Sequence, residues 1–148
     1  LAATGVSILC LALCLSACGG GSSNPPGDLN FPDLVPAENP GVAGEYYDYD
    51  SSTGEVLVWV RNQGSLDAPS SYVSVTFRNS GGVLGTVEIT TPTGVMAPGA
   101  LVGPLRAVVV DPDGCFQPDC AITIEVDSRD EVVESREDNN EQDDNIFG

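Results

Sequence analysis

The sequence contains no lysine and no histidine. The missing imidazole removes the usual general base, the Ser-His-Asp and Cys-His catalytic arrangements and every histidine metal site. Most enzyme classes are thereby disfavoured, and a protein without catalytic residues or a bound cofactor is expected. Positive charge is also scarce. Five arginines stand against 22 acidic residues, a formal net charge of −17, which argues against nucleic acid or an anionic membrane surface as partner because both would repel the chain. No helical apolar period of useful length appears, so helical folds are not expected either.

What is present begins with an apolar block. Residues 1–17, LAATGVSILCLALCLSA, carry no charge and have the length of a signal-peptide core, short of the roughly 18 to 20 residues a spanning helix needs. The charged start usual for such a signal is absent and the chain opens on Leu1, so the true N-terminus is expected upstream. Leu15-Ser16-Ala17-Cys18 reads as a lipobox, the small-residue cleavage site preceding a cysteine that is acylated, and GGGSSNPPG follows it at once. An acylated cysteine needs such a flexible polar stretch to lift a folded domain off the bilayer. Each buried methylene of an acyl chain contributes roughly 0.8 kcal/mol, so several chains on Cys18 would hold the protein at a membrane without a spanning helix. The expected division is therefore a signal peptide over 1–17, a lipidated cysteine and linker over 18–30, and one domain over 31–148. Gly19, rather than Asp, after the lipidated cysteine favours the outer membrane or cell surface of a bacterial envelope.

The domain reads as short strands between Gly, Pro, Asn and Asp turns. Residues 55–63, EVLVWVRNQ, put Val56, Val58 and Val60 on one face and Leu57 and Trp59 on the other; two apolar faces mark a central strand. Residues 71–78, SYVSVTFR, turn Val73, Val75 and Phe77 inward, and residues 121–127, AITIEVD, turn Ile122, Ile124 and Val126 inward, the pattern of half-buried sandwich strands. Further β-rich runs fall at 31–36, 85–90 and 101–110, with 45–50, EYYDYD, a weaker candidate. The pattern predicts an all-β, immunoglobulin-like antiparallel β-sandwich of about seven strands, with a small closed barrel as the alternative.

Four segments carry a family resemblance: Pro32-Asp33-Leu34-Val35; Val58-Trp59-Val60-Arg61-Asn62-Gln63-Gly64 followed by Ala68; Met96-Ala97-Pro98-Gly99; and Ile124-Glu125-Val126-Asp127 leading to Val133-Glu134-Ser135-Arg136-Glu137-Asp138-Asn139-Asn140. In this order and spacing the chain resembles CARDB, the cell-adhesion-related domain found in bacteria, an immunoglobulin-like module of surface and secreted proteins. The resemblance spans Pro32 to Asn140 and implies a non-enzymatic module for adhesion to, or recognition of, protein or polysaccharide, with a passive spacer of an envelope complex as the competing role. One departure stands out. Family members continue after the paired asparagines into a closing strand, whereas residues 141–148, EQDDNIFG, are short and mostly polar.

Cys10 and Cys14 fall in the signal, leaving Cys115 and Cys120 as the only cysteines of the folded part. Their spacing around a Pro-Asp turn predicts a local disulfide in an oxidising compartment. Ten carboxylates lie between Glu125 and Asp144. Oxygen ligands of this kind suit calcium and make Asp127, Asp130, Glu134, Glu137 and Asp138 candidate ligands. Their spacing matches no EF-hand loop, Arg129 and Arg136 offset part of the charge, and the resemblance implies a solvated structural turn here. Tyr46, Tyr47 and Tyr49 are candidates for an exposed aromatic platform or, alternatively, for packing along a sheet edge. Trp59 belongs to the core.

Overall fold

The computed structural model describes residues 30–91, 94–116 and 119–147. The expected signal peptide, Cys18 and all but the last residue of the linker lie outside that set. Among the described residues the elements run β1 Leu34–Ala37, β2 Tyr47–Asp50, β3 Glu55–Asn62, β4 Tyr72–Asn79, β5 Gly82–Thr90, β6 Leu101–Val108, a single helical turn α1 Pro112–Cys115, β7 Asp119–Val126 and β8 Glu141–Phe147. They form two antiparallel sheets, the expected immunoglobulin-like sandwich.

The first sheet is built on β3, the strand expected to be central. Val58 pairs with both Tyr47 of β2 and Leu105 of β6, and Val60 with both Pro36 of β1 and Val102 of β6. A residue has only two flanks, so β1 and β2 must lie end to end along one side of β3, with β6 on the other. They act as one edge strand interrupted by residues 38–46. The second sheet has the order β5-β4-β7-β8.

The core lies between the sheets. Val56, Val58 and Val60 meet Val73, Val75, Phe77, Ile124 and Val126, all fully buried. Each such side chain contributes roughly 1.5–3 kcal/mol by leaving water. Trp59 points to the outer face of the first sheet yet is only 7% exposed. The reason is Gly103 of β6, whose backbone lies against the indole so closely that any side chain there would strike the ring.

The polar tail forms a strand after all. β8 pairs with β7 along its whole length, from Glu141↔Glu125 to Asp119↔Phe147. Backbone pairing does not need apolar side chains, and one inward anchor suffices: Ile146 is buried in the core. The Tyr47 hydroxyl donates to the Asn145 carbonyl at 2.7 Å, tying β2 to the outer edge of β8. The weak candidate at 45–50 is likewise a strand, which together with β8 accounts for eight strands rather than about seven.

At the end of the sandwich where β3 begins, Cys115 and Cys120 are joined by a disulfide with their Cα atoms 4.7 Å apart. The helical turn before it is capped by Asp111, whose side chain accepts from the Gly114 N–H, and Asn79 Nδ2 donates to the Gly114 carbonyl at 2.9 Å.

Candidate functional site

The four sequence segments singled out above meet at the opposite end of the sandwich. Asn62, the last residue of β3, points inward and is fully buried. Its Oδ1 accepts from the N–H groups of Asp33 (3.2 Å) and Gly64 (3.0 Å), and its Nδ2 donates to the carbonyls of Leu66 and Met96, each at 2.8 Å. Asp33, also buried, accepts from Gln63 Nε2 at 3.2 Å and Asn139 Nδ2 at 2.9 Å. Glu134 Oε1 accepts from the Leu34 N–H at 2.7 Å across 100 residues of sequence. Gly64 passes so close to the backbone of residues 31–33 that no side chain would fit. This end is a clamp, in which side chains supply the hydrogen bonds that irregular backbone otherwise lacks.

Within the clamp Glu134 is the anomalous group. It is 7% exposed, and burial pushes its carboxyl up to about 7; the bond from Leu34 and the nearby Asn140 amide offset this only in part, while Glu137 and Asp127 add repulsion. Its Oε2 and the side-chain oxygens of Asn139 and Asn140 are buried without a hydrogen bond. All three are acceptors. With no donor to Oε2, the ionised form of Glu134 is poorly stabilised, in keeping with the raised value.

The five carboxylates expected as calcium candidates are not gathered into a cage. Asp127 accepts from the N–H groups of Glu131 (3.3 Å) and Val132 (2.8 Å), Glu137 from that of Glu134 (2.9 Å), and Asp138 pairs with Arg136 (3.3 Å), while Asp130 is exposed. Asp127 and Glu137 thus use their oxygens to close successive turns, and among the described residues no three acidic or cysteine side chains are placed to share a metal ion.

A different geometry occurs on the outer face of the first sheet. A shallow pocket of 240 Å³ opens beside β1 and the end of β3, lined by Val35, Ala37, Glu38, Tyr46, Arg61 and Gln63. The three tyrosines do not form one platform. Tyr47 and Tyr49 sit on the inward side of β2 against the core, Tyr49 with its ring centroid 5.1 Å from that of Phe116, and only Tyr46 reaches the pocket.

Arg61 distinguishes this pocket. Arg106 pairs with Glu55 at 2.6 Å and Arg129 with Glu88 at 2.9 Å, Arg136 pairs with Asp138, and Arg78 donates to Thr123. Arg61 is exposed, and its side chain has no ion pair or hydrogen bond among the described residues. In a chain of net charge −17, a guanidinium without a partner among the described residues is the exception.

Sequence comparison matches residues 31–144 to the CARDB family. The chain belongs to that family. Two solved structures are similar to this chain. One is a domain of a Methanosarcina acetivorans protein proposed to lie at the cell surface, 21% identical over 79% of this chain and 91% of that one, with a TM-score of 0.52. The other is the CARDB domain of a Pyrococcus furiosus protein solved with di-metal ions, 18% identical over 79% of this chain and 93% of that one, with a TM-score of 0.41. No curated protein matches.

The four CARDB segments are thus the residues of the clamp: Asp33, Asn62, Gly64, Met96, Glu134 and Asn139 hold the fold's end together. The pocket residues Glu38, Arg61 and Gln63 were not singled out from sequence for binding. The available signal was the alternation of β3, in which Glu55, Leu57, Trp59 and Arg61 share the outward face and only Arg61 is basic.

Proposed function

We propose that this CARDB chain is a non-enzymatic, lipid-anchored module of the bacterial cell envelope that recognises a polysaccharide or protein through the outer face of its first sheet. The open pocket beside Arg61, which has no side-chain partner among the described residues, carries this reading: Asp127 and Glu137 of the acidic turn spend their carboxylates on backbone N–H groups, whereas Arg61 and Glu38 of the pocket are left for a partner. CARDB membership and the resemblance of Leu15-Ser16-Ala17-Cys18 to a lipobox support the envelope location and anchor, with the outer membrane or surface favoured by Gly19.

Two experiments test the reading. Cys18→Ser should release the protein from the membrane fraction, and retention would reject the lipid anchor. The purified chain should bind at least one polysaccharide or envelope fraction; a screen without binding would leave the domain as a passive spacer.

A further inference from the structure

From the lining of the outer pocket we infer that its ligand is a carboxylated sugar, a hexuronic acid residue of a polysaccharide. This rests on the recognition reading above and names the class of ligand for that site. The first argument is charge. Arg61 is the one arginine without a partner among the described residues, and a guanidinium at a pocket wall is matched by a carboxylate, which it binds through two parallel N–H groups.

A bare carboxylate would use Arg61 alone, and the rest of the lining asks for more. Glu38 also lines the pocket, and no ion pair joins it to Arg61. Its carboxylate accepts hydrogen bonds only, as suits sugar hydroxyls. Gln63 already commits its Nε2 to Asp33, leaving its carbonyl oxygen as a further acceptor. Tyr46 offers a ring, and Val35 and Ala37 an apolar floor, for the C–H faces of a pyranose.

Size and overall charge narrow the class. At 240 Å³ the pocket lies below the roughly 300 Å³ at which pockets for drug-sized ligands begin, room for one ring rather than a long oligosaccharide. With Glu38 in the lining and a net charge of −17, a densely charged polyanion such as nucleic acid is repelled. A single carboxylate held against Arg61 meets far less repulsion: charges beyond about 8 Å are screened at physiological ionic strength, and Glu38 is the one acidic residue of the lining.

The test is calorimetric titration of the purified chain with a disaccharide bearing one glucuronic or galacturonic acid, beside the same disaccharide with glucose or galactose in its place. The uronic disaccharide should bind and weaken as salt is raised, and Arg61→Ala should lower its affinity about tenfold or more while melting like the parent. Arg106→Ala, which removes an ion-paired arginine from the same outer face, should leave the affinity unchanged. Equal binding of the neutral disaccharide, full binding by Arg61→Ala, an equal loss in Arg106→Ala, or no binding of either uronic disaccharide at millimolar concentration would each overturn the inference. If envelope polysaccharide still binds in that event, recognition stands and only the assignment of this pocket and ligand falls; if nothing binds, both fall.

Discussion

Arg61 and Asn62 are neighbours on one strand and face opposite worlds. The Asn62 side chain turns into the clamp and makes four hydrogen bonds, one of them to Met96, 34 residues away; the Arg61 side chain turns out to the pocket and makes none among the described residues. The clamp gathers the residues by which the family is recognised, and it consumes them in holding irregular backbone. The pocket lies one residue away and leaves the Arg61 and Glu38 side chains without an ion pair or hydrogen bond among the described residues. A family signature can therefore mark what the fold needs at its ends, while binding is carried by positions that look ordinary in the sequence.

If that contrast is right, the largest stability effect lies at Asn62. Asn62→Ala leaves the N–H groups of Asp33 and Gly64 and the Leu66 carbonyl without their side-chain partner, while the Met96 carbonyl keeps the Ala68 N–H, at a cost of about 3 kcal/mol or more, read from urea unfolding. A loss below about 1 kcal/mol would mean that water replaces the side chain and that the end is no clamp. The other end of the sandwich is stapled covalently instead. Replacing Cys115 and Cys120 by alanine should cost about 2 kcal/mol in the same assay through the freed loop, less than the single asparagine.

The clamp also has a pH signature that the pocket lacks. Glu134 has its folded value raised from 4.5 to about 7, so the folded state holds the proton more tightly than the unfolded state. Its contribution to stability is fully present below pH 4.5 and is lost as pH rises through about 7. The loss should amount to about 1–2 kcal/mol, the loop's access to water reducing the full effect of the shift. Asp50 and Glu88 act in the opposite sense: hydrogen bonds from Ser52 and Arg129 hold their carboxyls below the ordinary value, favouring the fold at higher pH. The difference between parent and Glu134→Gln isolates the clamp. The variant should be the more stable above pH 7, with the gap closing toward pH 4.5, and parallel curves would remove the proton from the account. Arg61→Ala should sit at the small end of the scale, within about 0.5 kcal/mol of the parent at every pH, since an exposed side chain without partners has little to lose on truncation.

The strands were legible wherever a period of two carried apolar residues to one face. β3, β4 and β7 follow the alternation of Val56, Val58 and Val60, of Val73, Val75 and Phe77, and of Ile122, Ile124 and Val126. β8 was hidden because its side chains are polar and its pairing is made by backbone, with Ile146 alone signalling a buried side. The local disulfide followed from spacing, since a bridge between near neighbours depends little on distant structure.

The site was less legible for a related reason. Crowded carboxylates at Asp127, Glu134 and Glu137 look like ligands in a linear reading, yet each answers a backbone N–H that only the folded turn and β1 bring near. Conversely, Glu38, Tyr46 and Arg61 are scattered along the chain and become a pocket only when β1 lies against the end of β3. Three-dimensional pairing creates that site, and no local pattern announces it.

The most direct test of the division between clamp and pocket is amide chemical-shift mapping of the full chain during titration with a uronic disaccharide. The account predicts shifts at Val35, Ala37, Glu38, Tyr46, Arg61 and Gln63, with the turn residues from Asp127 to Asn140 unmoved. Shifts concentrated on that acidic turn, with the pocket silent, would contradict it.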